Sequence, residues 1–143
     1  MSVRLILEDK GHGVFTIEGT KTLVDAVTLL AEKGVGALVV LGVDGRIVGI
    51  LSERDIVRAM AKHGADVGSH SVASVMTSAV KTCKEEDTLD DLMRVMTHGR
   101  FRHLPVEKNG MLDGIVSIGD VVKWRISEVE QEAEHMKAYI ASA

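Results

Sequence analysis

The chain has 143 residues, 45% of them hydrophobic and 27% charged, with one proline and a formal net charge of −4. The acidic balance excludes the basic face of a general nucleic-acid binder, and one Trp, one Tyr and two Phe leave no platform for base stacking. A lone cysteine, Cys83, rules out an internal disulfide and fits a reducing, cytoplasmic setting, while no apolar run is long enough to cross a membrane and the N-terminus lacks the pattern of a signal peptide.

In chain order, Val3, Leu5, Ile6 and Leu7 predict a short helix closed by Gly11 and Gly13. The β-branched run Val14 to Ile17 predicts a strand. A helix then starts at Thr22, with Leu23, Ala26, Val27, Leu30 and Ala31 at helical spacing, and ends at Gly34 and Gly36. Ala37 to Leu41 and Arg46 to Leu51 read as two strands joined around Asp44-Gly45, a dipeptide that tolerates the positive φ of a tight hairpin. Ser52 opens a helix that runs to about Lys62. Residues 64–71, rich in Gly, Ser and His, read as a linker, and Val72 to Met76 as a short helical lead-in. From there the order recurs: a strand at Val80 to Cys83, a helix from Thr88 to Met96, and a hairpin of Arg102 to Val106 and Met111 to Val116 around Asn109-Gly110.

The recurrence is an internal repeat, which fixes the architecture before any local detail. Gly49-Ile50-Leu51-Ser52-Glu53-Arg54-Asp55 returns as Gly114-Ile115-Val116-Ser117-Ile118-Gly119-Asp120. Val14, Thr16, Thr22, Asp25, Leu38 and Val40 return as Val80, Thr82, Thr88, Asp91, Leu104 and Val106, and the spacing shortens by one residue at the hairpin turn. A unit of ~65 residues sits near the lower limit for an independent core, so the two copies are expected to pack on each other and share one. The expected division is residues 1–63 for the N-terminal helix and first copy, 64–71 for the linker, 72–125 for the second copy and 126–143 for an extension of the last helix. In that helix Val122, Ile126, Val129, Ala133, Met136 and Ile140 alternate four and three apart, a heptad seam. It serves either as an amphipathic face packed on its own domain or as a dimer contact.

Ser52 and Asp55, like Ser117 and Asp120, are three apart. One reading is a capping box, in which the hydroxyl caps the helix and the carboxylate reaches back. The other is chemical: free N–H groups and a positive dipole at a helix start suit phosphate, and a carboxylate one turn inside can accept hydrogen bonds from a ribose diol. Duplication preserves a cap as readily as a site, so the repeat leaves both readings open.

The ordered set of motifs resembles a tandem pair of CBS domains, a Bateman module. It comprises the twofold Gly-x-x-Ser-x-x-Asp, the Val75-Met76-Thr77 lead-in and Arg102-His103-Leu104-Pro105-Val106, and it covers nearly all of residues 1–125. The resemblance implies an α/β fold of two β-α-β-β-α repeats packed sheet against sheet about a pseudo-twofold axis, with two clefts between them. It implies adenosine ligands (AMP, ADP, ATP, S-adenosylmethionine or NAD(H)), a homodimer, a separate regulated protein as partner, and a role in sensing energy or redox state. Asp55 and Asp120 match the family's ribose ligands, and Ser52 and Ser117 its phosphate-side hydroxyls. Thr16 and Thr82, with Val35-Gly36-Ala37 and Phe101-Arg102-His103, match positions that line adenine and phosphate. A CBS pair kept only for dimerisation, its clefts empty, is the alternative.

Before its hairpin the second copy carries Arg100, Arg102 and His103 where the first has Gly34, Gly36 and Ala37. Guanidinium groups read phosphate through charge-assisted, often bidentate hydrogen bonds. The cleft built on Asp120 is therefore expected to be the stronger phosphate site. No His or Cys pair has zinc-ligand spacing, so no metal is expected. No base and nucleophile in a catalytic order or phosphate-cradling glycine loop appears, so the chain reads as a binding module and not an enzyme. Cys83, with only Lys84 as a basic neighbour, is expected to be an inert buried thiol.

Overall fold

A computed structural model describes residues 1–142. Helix α1 spans Val3–Lys10, β1 Thr16–Glu18, α2 Leu23–Lys33, β2 Ala37–Leu41, β3 Ile47–Ser52 and α3 Glu53–His63. The second half has α4 over Val72–Val75, α5 Leu89–Gly99, β4 His103–Lys108, β5 Met111–Ser117 and a long α6 from Ile118 to Ser142. Four helix starts carry a reciprocal cap, as read from the sequence at Ser52 and Ser117. The side chains of Thr22, Ser52, Thr88 and Ser117 accept from the backbone N–H three residues on, and Asp25, Asp55, Asp91 and Asp120 answer back. The segment expected as a plain linker forms a 3-10 turn over Ala65–Ser69 that buries Val67.

In the first sheet β1 runs parallel to β2 and β2 antiparallel to β3; in the second, β4 and β5 form an antiparallel pair. Val40 faces Gly49 in one register and Val106 faces Gly114 in the other, and each hairpin carries an irregularity just after that point. Asn109 and Gly110 both have positive φ (52° and 78°), as a two-residue turn demands. The extra residue of the first copy lies in its longer turn.

The strand expected at Val80 to Cys83 is reduced to a single parallel bridge between Cys83 and Val106. Proline explains the loss. In the first copy the Val39 N–H donates to the Phe15 carbonyl at 3.2 Å. The corresponding donor in the second copy is Pro105, which has no N–H, so the ladder cannot extend back to Lys81. Only the bonds from Cys83 N–H to Pro105 O and from Glu107 N–H to Cys83 O remain, both 2.9 Å.

The expectation of one shared core is corrected. Buried apolar side chains form two clusters, and each is completed by the segment that leads into the other repeat. Val3, Ile6 and Leu7 of α1 join Leu89, Leu92, Met96, Leu104, Val106 and Val116 of the second copy. Val72 of α4 joins Leu23, Leu30, Leu38, Val40 and Leu51 of the first. The backbone repeats the exchange: Ser2 bridges to Thr88 and Ser71 to Thr22. The N–H of Val3 donates to Asp87 O (2.9 Å) and that of Val72 to Lys21 O (2.7 Å). An eight-residue helix is marginal by itself in water, so α1 owes its existence to this docking.

The two repeated glycines sit where the exchanged segments come closest. A β-carbon at Gly114 would lie 2.8 Å from Leu7 Cδ2, and one at Gly49 2.9 Å from Met76 Cγ. At the other end of the sheets the turns meet with the same reciprocity. A β-carbon at Gly45 would lie 3.1 Å from Met111 Cε, and one at Gly110 2.6 Å from Arg46 Nη1. These paired contacts are the pseudo-twofold relation between the repeats.

Candidate functional site

Each repeat starts its final helix from the end of its hairpin, and the loop before the hairpin buttresses that start. The Glu53 N–H donates to Gly36 O at 3.0 Å and the Ile118 N–H to Arg102 O at 2.8 Å. Gly36 and Arg102 thus hold equivalent places, and both look into one cavity. It has a volume of about 390 Å³ and is lined by Gly36, Ile50, Ser52 to Asp55, Arg58 and Thr77 from one side and Gly99 to His103 from the other.

Within it, Asp55 is held at both carboxylate oxygens. Oδ2 accepts from the Ser52 N–H (3.0 Å) and hydroxyl (3.1 Å), and Oδ1 accepts from the Thr77 hydroxyl (3.1 Å). Thr77 reaches this position because its backbone pairs with Ile50 in an isolated bridge. His103 lines the cavity from the second repeat. It pairs with Ser117 across the second hairpin, and its ring would lie 3.6 Å from a β-carbon at Gly36. Burial lowers its pKa, helped by the charges of Lys10 and Arg102 against those of Glu53 and Asp120. At neutral pH it is therefore a neutral imidazole, able to donate one hydrogen bond and accept another.

The second acid has a different environment. Asp120 Oδ2 accepts from the Ser117 N–H (2.9 Å), the Ser117 hydroxyl (3.1 Å) and the Lys10 ammonium (2.7 Å). Lys10 also donates to the Ile115 carbonyl at 3.0 Å. The expected charge asymmetry is therefore real but reversed. Phe101, Arg102 and His103 line the cavity whose acid is Asp55, together with Ser52 and Gly36, and Asp120 faces a lysine from α1. The reason is the pseudo-twofold packing, which turns the loop before β4 toward the α3 start of the other repeat.

Other expected residues fall outside this cavity. Thr16 lines a separate depression between β1, α2 and the β2–β3 turn. The Thr82 hydroxyl donates to Glu107 at 3.3 Å. Val35 packs against the first core and Ala37 is buried in β2. Sequence reasoning missed Thr77, Arg58 and Lys10 as site residues. Arg58 had a signal, lying one turn after Arg54 on the same helix face; Lys10, 110 residues from Asp120, had none.

Cys83 is buried, and burial, with Asp87 adding, pushes its thiol up to about 12. The rings of His63 and His70 lie 5.0 Å apart. Among the described residues no three His, Cys, Asp or Glu side chains cluster as a metal site, and no helix is long and apolar enough to cross a membrane.

The Lys10–Asp120 pair gives a pH signature. Burial pushes the Asp120 pKa up, but the Lys10 ammonium and the Ser117 donors outweigh it, and the net shift is below the ordinary 3.8. A carboxyl whose pKa is depressed by folding adds stability above its unfolded value and loses it as pH falls through the folded one. Asp120→Asn is expected to lower the thermal midpoint at pH 7, with the gap to the parent closing as pH falls below 3.8. A gap that stays constant across that range in a pH series of melts would contradict the ion pair.

A family profile for the CBS domain matches residues 11–62 and 72–127. Among curated proteins, the chain is 38% identical over 123 residues to the CBS domain-containing protein CBSX3, mitochondrial, of Arabidopsis thaliana, covering 83% of this chain and 60% of that protein. It thus spans less than two thirds of that relative's length. Among solved structures, it superposes on the CBS-domain containing protein ATU1752 from Agrobacterium tumefaciens with a TM-score of 0.85 at 46% identity, covering 87% of this chain and 99% of the other. CBSX2 in complex with AMP superposes with a TM-score of 0.72 at 25% identity, covering 88% and 96%. The reciprocal lead-ins, the matched hairpin registers and the two profile matches agree: the chain belongs to the CBS-domain family, as a tandem pair of CBS domains.

Proposed function

We propose that this CBS pair is a regulatory module that binds an adenine nucleotide (AMP, ADP, ATP or NAD(H)) in the cleft built on Asp55 and passes the energy or redox state to a partner protein. The observation that carries the reading is the juxtaposition of Ser52, Asp55 and Thr77 with Arg100 and Arg102 in one cavity. A carboxylate held by its neighbours can orient a ribose diol, and guanidinium groups across the cleft can take phosphate. AMP in the CBSX2 complex supports the ligand class. A ligand acts only by favouring one conformation over another, and His103, which lines the cleft and also feels the charge of Asp120, is the natural reporter of occupancy. The inert thiol fits work in the reducing cytoplasm.

The second reading, an interaction module with empty clefts, draws on the capping box at Ser52, which accounts for Asp55 without a ligand. It leaves the cleft arginines unexplained. Thermal melts with AMP, ADP, ATP, NAD+, NADH and S-adenosylmethionine decide between them. A ligand at ~100 times its dissociation constant adds about 2.7 kcal/mol to the native state. At least one should raise the midpoint, and Arg102→Ala should diminish the rise. No shift in nucleotide-free protein would favour the interaction module.

The module is also proposed to be a homodimer. The α6 seam does not pack on its own domain: Ile126, Val129, Met136 and Ile140 are 54%, 55%, 66% and 69% exposed. Arg125 and Glu132 precede the seam residues Ile126 and Ala133, and Glu130 and Lys137 follow the seam residues Val129 and Met136. In a parallel pair Arg125 therefore meets the partner's Glu130, and Glu132 meets the partner's Lys137, with opposite charges. Sedimentation should find a dimer that Ile126→Asp converts to a monomer; a dimer that survives this substitution must be held elsewhere.

A further inference from the structure

We infer that the cleft on Asp55 selects its ligand by phosphate number, taking an adenosine 5′-polyphosphate in preference to a mononucleotide. This rests on the nucleotide reading above and specifies its ligand.

The chain has eight arginines, and their distribution is uneven. Arg4, Arg46, Arg94 and Arg125 each lie within 4.0 Å of a carboxylate. The other four, Arg54, Arg58, Arg100 and Arg102, all line this one cavity. Among the described residues no ion pair involves any of them. The protein carries a net charge of −4, so acidic groups are not scarce. The same lining also holds the carboxylates of Glu53 and Asp55, which leaves the arginines in excess by two, and an anion bound among them relieves the remaining repulsion.

Their placement on two walls favours an extended, multiply charged anion. Arg54 and Arg58 lie one turn apart on α3, and Arg100 and Arg102 on the segment before β4, so the charges line two walls. One phosphoryl group presents three terminal oxygens, and a bidentate guanidinium engages two of them. A chain of two or three phosphoryl groups offers more acceptor oxygens to donors on the two walls than a single one does. Arg100 adds a backbone observation. It caps α5 in the left-handed region at φ 56°, where the equivalent cap of α2 is Gly34 at φ 63°. A side chain is tolerated there against the conformational preference of L-residues, at a residue that lines the cleft.

Calorimetric titration of the nucleotide-free full chain with AMP, ADP, ATP and inorganic tripolyphosphate tests the inference. ATP should bind at least ~10-fold more tightly than AMP, with ADP between them, since each added charge-assisted contact is worth about that factor. Arg58→Ala and Arg102→Ala, both at exposed positions and checked for an unchanged melting point, should each remove most of the ATP advantage and affect AMP much less. AMP binding as tightly as ATP, or both variants weakening AMP and ATP equally, overturns selection by phosphate number and leaves the nucleotide reading in place. Tripolyphosphate that binds without displacement by ATP overturns the nucleotide reading itself.

Discussion

The two repeats are held in register by an exchange of their leading segments. Helix α1 belongs to the first repeat by chain order and to the second by packing, and α4 is its mirror. Leu7 seats over Gly114 and Met76 over Gly49, approaches that leave no room for a β-carbon at either glycine. Interiors packed at this density do not deform continuously, so the seats fix where the two hairpins lie relative to each other. With that relation set, the turns meet at one end and the helix starts face the opposite loops at the other.

The cleft is a product of this geometry. Its acid comes from the first repeat, and two of its four arginines from the loop before β4 of the second. Neither repeat alone contains the constellation, although each contributes a capped helix start of the same kind. The same exchange differentiates the two acids. Thr77, carried in with α4, gives Asp55 a neutral hydroxyl donor, whereas Lys10, at the end of α1, gives Asp120 a cation. A carboxylate already paired with an ammonium is poorly placed to serve a ribose, and one held by hydroxyl and amide donors keeps its charge available. At equivalent positions of the repeat, the two acids are electrostatically unlike.

Much of this is legible in sequence, and what is not has a physical cause. Caps and turns are local, so Thr22, Ser52, Thr88 and the Asn109-Gly110 turn can be placed from residue types alone. The single-residue shortening could be assigned to the hairpin because only there does a deletion leave both registers intact. The strand around Lys81 was expected by analogy with the first repeat and is missing because Pro105, in the partner strand, lacks the donor. Arg100 and Arg102 were recognised in the sequence but expected beside the other acid, because which loop faces which helix across a pseudo-twofold axis is a property of the packing. Lys10 carries no motif, and only the docking of α1 brings it to Asp120.

The central claim is that one cleft is made jointly by both repeats. Hydrogen–deuterium exchange of the full chain with and without saturating ATP tests it most directly. The account predicts that ATP slows exchange together at residues 52–58 and at residues 99–103, with residues 117–120 little changed. Slowing confined to one repeat, or centred on residues 117–120, would contradict it.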